Sequence, residues 1–135
     1  LIERLVRDIY HRGVIFCKPD TPLQEVVQVM VDTDIHAIIV TDGESPEPLG
    51  VVSHTDIISH YGKELSGIKA SEVMTPHVIT IPEDKPVSQA SNLMLEHNIR
   101  RLLVTEEGKN TPLGIISTTD IIREMRGTKW VWQIG

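Results

Sequence analysis

Residues 50–58 read GVVSHTDII, and sixty-four positions later residues 114–122 read GIISTTDII. Gly, Ser, Thr, Asp and the closing Ile-Ile return in place, the paired valines become paired isoleucines, and only the residue between Ser and Thr changes character. Sliding the whole chain by 64 extends the match. Residues 14–58 lie on residues 78–122 without a gap and are identical at 16 of the 45 positions, among them Val14/Val78, Pro22/Pro86, Met30/Met94, Ile35/Ile99 and Gly50/Gly114. A register kept through loops as well as apolar stretches points to duplication, and an internal repeat decides the fold before any single element does.

Each copy carries the same succession of signals. A short apolar strand over residues 14–17 leads to Asp20-Thr21-Pro22, where Thr21 is suited to cap a helix, Pro22 to open it and Gln24 to complete a capping box. Leu23, Val26, Val27 and Met30 recur at three- and four-residue spacing, leaving Gln24, Glu25, Gln28 and Asp32 for solvent. A β-branched run over residues 35–41, the loop DGESPEP and the strand over residues 49–53 form a hairpin, and a second helix starts at Thr55-Asp56 and runs to Gly62. In the second copy Lys85 replaces Thr21, a weaker cap, and Asn98 ends the first helix. Lead-ins of a few residues, Val6-Arg7-Asp8-Ile9-Tyr10 and Ala70-Ser71-Glu72-Val73-Met74, form short helices before each copy. The expected fold is α/β (α+β), two βαββα repeats with approximate twofold symmetry packed through their sheets, since a unit of about 55 residues has little interior alone. The expected organisation is repeat one with its N-terminal helix over 1–62, a linker over 63–70, repeat two over 71–126 and a tail over 127–135.

Composition narrows the chemistry. Thirteen Lys and Arg against nineteen Asp and Glu give a net charge of −6, which opposes general attraction to nucleic acid or to anionic membranes. No apolar run reaches the ~18 residues of a membrane span, and a cytoplasmic protein is expected. Cys17 is the only cysteine, so no intrachain disulfide forms, and it reads as core packing. The histidines at 11, 36, 54, 60, 77 and 97 lack the spacing of a metal site, and no phosphate-binding glycine loop or nucleophile–base pair is present. Neither a metal nor a catalytic residue is expected, and the chain does not read as an enzyme.

The Ser-x-Thr-Asp stretch lies at a strand-to-helix junction. There the first backbone N–H groups are free to donate, hydroxyls add donors, and an ionised carboxylate offers two acceptor oxygens, a set suited to a ribose with its phosphate. The competing reading is that Thr55-Asp56 and its counterpart merely cap a helix. Ser53 and Thr55 are expected on one side of the strand end, with His54 turned away. Arg100 and Arg101 in the second copy stand where the first has His36 and Ala37, so guanidinium forks for a phosphate are present in one copy only. Trp130 and Trp132 read equally as a packing strand, a dimer contact or a connection to further chain.

The pattern of apolar strand, helix, Ile-x-x-apolar-apolar-Val, acid-rich loop and Gly-apolar-apolar-Ser-x-Thr-Asp-Ile-Ile resembles the cystathionine β-synthase (CBS) domain, here over about residues 5–126 as the tandem pair known as a Bateman module. The resemblance implies a regulatory module that binds an adenine nucleotide, AMP first and then ADP or ATP, with NAD or S-adenosylmethionine as further ligands, and that signals to an effector. A ligand-free interaction module is the alternative. It further implies clefts drawing on both repeats: Ser117, Thr119 and Asp120 with Ile15, Ile35, His36 and Ala37, and Ser53, Thr55 and Asp56 with Thr75, Ile79, Ile99 and Arg100, Arg101 lying beside them. Such modules dimerise through their helices, and Ile57, Ile58, Ile121, Ile122 and Met125 provide apolar surface for a homodimer.

Overall fold

Spacing of three and four residues puts Leu23, Val26 and Met30 on one side of a helix, and they are its buried residues in the computed structural model, which describes residues 3–45 and 47–126. In chain order the elements are α1 (Val6–Ile9), β1 (His11–Arg12), β2 (Phe16–Cys17), α2 (Leu23–Thr33), β3 (Ala37–Val40), β4 (Gly50–Ser53) and α3 (His54–Ile58). After a 3-10 turn at Leu65–Gly67 come α4 (Ala70–Val73), β5 (Thr80–Pro82), α5 (Val87–His97), β6 (Arg101–Thr105), β7 (Pro112–Ser117) and α6 (Thr118–Glu124). The order strand, helix, strand, strand, helix thus occurs twice, each time after a short helix. Trp130 and Trp132 lie outside the described residues.

Two local expectations are corrected. Thr21 does not cap α2: its Oγ1 accepts the Lys18 N–H at 3.0 Å, closing the preceding turn, and the residue before the helix is Pro22, held extended at φ −61°, ψ 138°. The change to Lys85 therefore removes no cap, and α5 starts in the same way after Pro86. Both long helices end on a left-handed residue, Asp34 (φ 53°) and Asn98 (φ 52°), side chains whose short polar groups tolerate that conformation.

In the first sheet β2 runs parallel to β3, and β3 antiparallel to β4. The second repeats this with β5, β6 and β7 and gains β1 on its edge, antiparallel to β7. β1 comes from the N-terminal lead-in. The pairing is reciprocal, because His11 lies opposite Ile115 and Thr75 opposite Val51, two pairs related by the 64-residue shift. Leu5 with Pro86 and Lys69 with Pro22 form a second such pair of bridges.

The cores are exchanged accordingly. Val6 and Tyr10 pack with Ile81, Ala90, Met94, Leu102, Val104 and Ile116 of the second repeat, whereas Ala70 and Val73 pack with Leu23, Val26, Met30, Ile38, Val40 and Val52 of the first. Sequence order assigns α1 to the first repeat, but packing assigns it to the second. Cys17 is half-buried against the first core, and burial together with the charge of Glu25 pushes its thiol up to about 11, against a hydrogen bond from Thr21. The thiol rather than the thiolate is therefore the favoured form at neutral pH.

The two glycines that recur in the repeat, Gly50 and Gly114, owe their identity to the crossing lead-ins. A Cβ at Gly114 would meet the His11 carbonyl oxygen and the Tyr10 ring, and one at Gly50 would meet Met74 Sδ at 2.7 Å and the Thr75 carbonyl oxygen at 2.8 Å. Strand alternation then fixes what the other sheet face holds. Ile38 and Val40, like Leu102 and Val104, point into the helical cores, so Ala37 and Ile39, like Arg101 and Leu103, lie on the opposite faces. Between those faces are two hollows.

Candidate ligand-binding clefts

The first hollow, a cavity of about 350 Å³, is lined by Ser53, Thr55 and Asp56 from the end of β4 and the start of α3, and by Thr75, Ile79, Ile99, Arg100 and Arg101 from the second repeat. Ala37, Ile39, Val51, Leu103 and Ile115 form much of its apolar floor. The second, about 540 Å³, is lined by Ser117, Thr119 and Asp120 with Ile15, Ile35, His36 and Ala37, and again by Arg101 and Ile115. Both volumes fall in the range of about 300–1,000 Å³ usual for small-molecule sites. Every residue named from the sequence thus lines one hollow or both.

Each aspartate is held by the same reciprocal device. Asp56 Oδ2 accepts the Ser53 N–H at 2.8 Å and the Ser53 hydroxyl at 3.0 Å; Asp120 Oδ2 accepts the Ser117 N–H at 2.8 Å and the Ser117 hydroxyl at 3.1 Å. One oxygen of each therefore caps its own helix, and the expectation that both are open to a ribose is corrected. Capping thus accounts for Oδ2 of each aspartate and leaves Oδ1 outside the cap.

The remaining oxygens differ. Among the described residues Asp56 Oδ1 accepts a single hydrogen bond, from Thr75 Oγ1 at 2.9 Å, and keeps capacity for another. Asp120 Oδ1 lies 2.9 Å from His11 Nδ1 and 3.5 Å from an Arg123 nitrogen, and Asp120 itself is only 3% exposed. His11 and Thr75 are the same position of the repeat, each reaching across to the other copy's aspartate. The sequence reading included Thr75 and passed over His11, which extending the lead-in match by one residue would have supplied. Arg123 was also missed. It stands one helical turn after Asp120, a spacing that brings side chains together.

Positive charge gathers differently as well. Arg100 lines the first hollow alone, whereas Arg12 and Arg123 line the second. Arg12 sits 5.5 Å above the Tyr10 ring. Burial first, and then the neighbouring charge of Arg100, lower the Arg101 guanidinium's pKa from its ordinary value.

His54, the variable position, lines neither hollow. Its ring lies 4.7 Å from that of His36. Desolvation, followed by the charges of His36 and Arg101, lowers its pKa from the ordinary 6.5, with Asp34 opposing. The folded chain accordingly favours the neutral ring. Whatever stability this adds is present above about pH 6.5 and is lost as pH falls through the lower folded value. A histidine-resolved NMR titration is expected to place His54 below the ordinary range and to move it upward in Arg101→Ala; an unchanged midpoint would remove Arg101 as a cause.

Among the described residues no group of three His, Cys, Asp or Glu side chains could hold a metal, and no helix is long and apolar enough to cross a membrane.

Comparison with known proteins agrees with this architecture. The family model of the CBS domain matches residues 6–63 and again 70–127. A Methanopyrus kandleri protein, MK0525, is 30% identical over 122 residues, which are 87% of this chain and 61% of that protein. An inosine-5′-monophosphate dehydrogenase of Methanocaldococcus jannaschii is 28% identical over 119 residues, 88% of this chain and 23% of the enzyme. The chain thus spans less than two thirds of the length of these curated relatives. The CBS domain pair of protein MJ0100, solved in complex with 5′-methylthioadenosine and S-adenosyl-L-methionine, matches with a TM-score of 0.79 at 25% identity, over 92% of this chain and 97% of that one. A conserved protein from Pyrococcus horikoshii matches with a TM-score of 0.78 at 24% identity, over 96% and 98%. With one family matched on both repeats, and with the fold of a solved pair, this chain belongs to the CBS domain family as a tandem pair.

Proposed function

We propose that the two hollows bind an adenine nucleotide, AMP before ADP or ATP, and that the module is a regulatory sensor that reports the bound state to an effector protein or domain rather than a catalyst. The observation that carries this is the composition of each hollow: hydroxyls and a carboxylate from one repeat, an apolar floor, and arginine, which the other repeat supplies in the first hollow (Arg100, Arg101) and both repeats supply in the second (Arg12, Arg101, Arg123). The apolar floor suits a base, the carboxylate a sugar and the guanidinium a phosphate. The MJ0100 pair is described with two adenosine derivatives, which supports an adenosine-bearing ligand and makes S-adenosylmethionine the first competitor to test, with NAD after it. A monophosphate ranks above a triphosphate because the chain already carries −6.

Isothermal titration with AMP, ATP, NAD and S-adenosylmethionine tests this directly. AMP is expected to bind at up to two sites per chain, and at a hundred times its dissociation constant to stabilise the fold by about 2.7 kcal/mol for each site filled. A melting temperature unmoved by all four ligands would leave the ligand-free interaction module as the reading.

A homodimer joins this proposal on a separate observation. Among the described residues the six most exposed large apolar side chains fall in pairs related by the repeat: Val31 with Leu95, Ile58 with Ile122, and Tyr61 with Met125, from 65% to 95% exposed, whereas the less exposed Phe16 and Leu49 have no such counterpart. Ile57 and Ile121, by contrast, pack on the cores and are not available. A face with internal twofold character suits a second copy of itself. Ile58→Glu with Ile122→Glu is expected to convert a dimer to a monomer in sedimentation velocity without lowering the melting temperature at high dilution.

A further inference from the structure

The two hollows are not separate rooms. Ala37, Arg101 and Ile115 line both. Ala37 and Arg101 are the same position of the repeat, at the start of equivalent strands, and lie opposite Ser53 and Ser117 respectively. Where symmetry would set two guanidiniums or two methyl groups on the shared wall, the chain has one of each. Among the described residues no hydrogen bond or salt bridge engages the Arg101 side chain, whereas Arg123 is paired with Asp120.

Resting on the nucleotide reading above, we infer that Arg101 is a single phosphate fork serving both hollows, so that occupancy of one by a phosphate-bearing ligand weakens binding of the same ligand in the other. A guanidinium's planar fork engages one phosphate edge well, and the first ligand to take it leaves the second facing both a satisfied cation and a new anion. Arg100 lies only at the first hollow, where among the described residues no salt bridge engages it, whereas at the second Arg123 is paired with Asp120 and Arg12 lies over the Tyr10 ring, so the first hollow keeps the more available cation and fills first. Coupling of this kind is reciprocal, and it belongs to the phosphate rather than the base.

Two histidines report the hollows separately, since His77 lines only the first and His36 only the second. The test is an NMR titration with AMP read at each ring, in the wild-type chain and in Pro76→Trp, which places a bulky ring at an exposed position of the first hollow. Sealing the first hollow is expected to tighten the His36 curve about tenfold in the wild type, a usual size for coupling between sites, and by less than about twofold in Arg101→Ala or with adenosine as the probe. Should Pro76→Trp fail to fold, the comparison of AMP with adenosine in the wild type serves: separated curves for AMP and coincident ones for adenosine, relative to their values in Arg101→Ala. A His36 curve indifferent to the state of the first hollow overturns the coupling and leaves the nucleotide reading intact. Silence of both histidines toward AMP overturns both. Response at one histidine only, unchanged by Arg101→Ala, overturns the coupling as well.

Discussion

Gly114→Ala is expected to be the most damaging single-methyl change in the chain. The added carbon would meet the His11 carbonyl oxygen and the Tyr10 ring, and the first of these is main chain, held in place by pairing of β1 with β7. A flexible side chain could turn aside; a paired carbonyl moves only with its strand. Since overpacking costs about 1–3 kcal/mol and more where backbone must shift, a loss of about 3 kcal/mol is expected, or roughly 10 °C in melting temperature. Gly50→Ala should cost less, because part of its clash is with the Met74 side chain. Gly67→Ala is the control: a Cβ there meets nothing within 4 Å, and reduced freedom of the unfolded chain should leave it within about 1 kcal/mol of wild type. Thermal unfolding followed by circular dichroism orders the three. A Gly114→Ala midpoint equal to that of Gly67→Ala would mean that the lead-in does not cross β7 as described.

The glycines also show how far the sequence could be read. Their recurrence was visible, and with it the duplication, the element order and the packing of apolar faces, because these depend on local periodicity and on one unbroken register. The reason for glycine was not visible, because the atoms that exclude a side chain belong to the other repeat. The same holds for His11. Nothing local marks it, yet it contacts Asp120 across the molecule, as Thr75 contacts Asp56. Capping was misread at Thr21 for the opposite reason: the residue type was right for a cap, but a turn three residues earlier claimed its hydroxyl. Helix ends are where several local partners compete with similar energies, so residue type alone does not choose among them.

Asp120 yields the second large effect, and its sign separates two roles. As a cap alone, its carboxylate accepts the Ser117 N–H and hydroxyl and anchors His11 and Arg123. Removing it in Asp120→Ala leaves a buried gap and unpaired donors, at a cost of about 2–3 kcal/mol by the usual value of hydrogen bonds to a charged group. Asp120→Asn keeps the shape and the acceptor for Ser117, and is expected to stay within about 1 kcal/mol of wild type. Binding of AMP is the informative quantity. Were the aspartate only structural, taking a negative charge from beside a phosphate site should tighten an anionic ligand slightly, because like charges there repel. A sugar contact demands the reverse, since a carboxylate oxygen is a stronger acceptor for hydroxyls than an amide oxygen. The expected result is a loss of about tenfold in AMP affinity at the second hollow in Asp120→Asn, roughly one good hydrogen bond, with His54→Ala within about twofold of wild type. Affinity raised in Asp120→Asn, or lowered equally by His54→Ala, would remove the aspartate from the ligand and return it to the helix it caps.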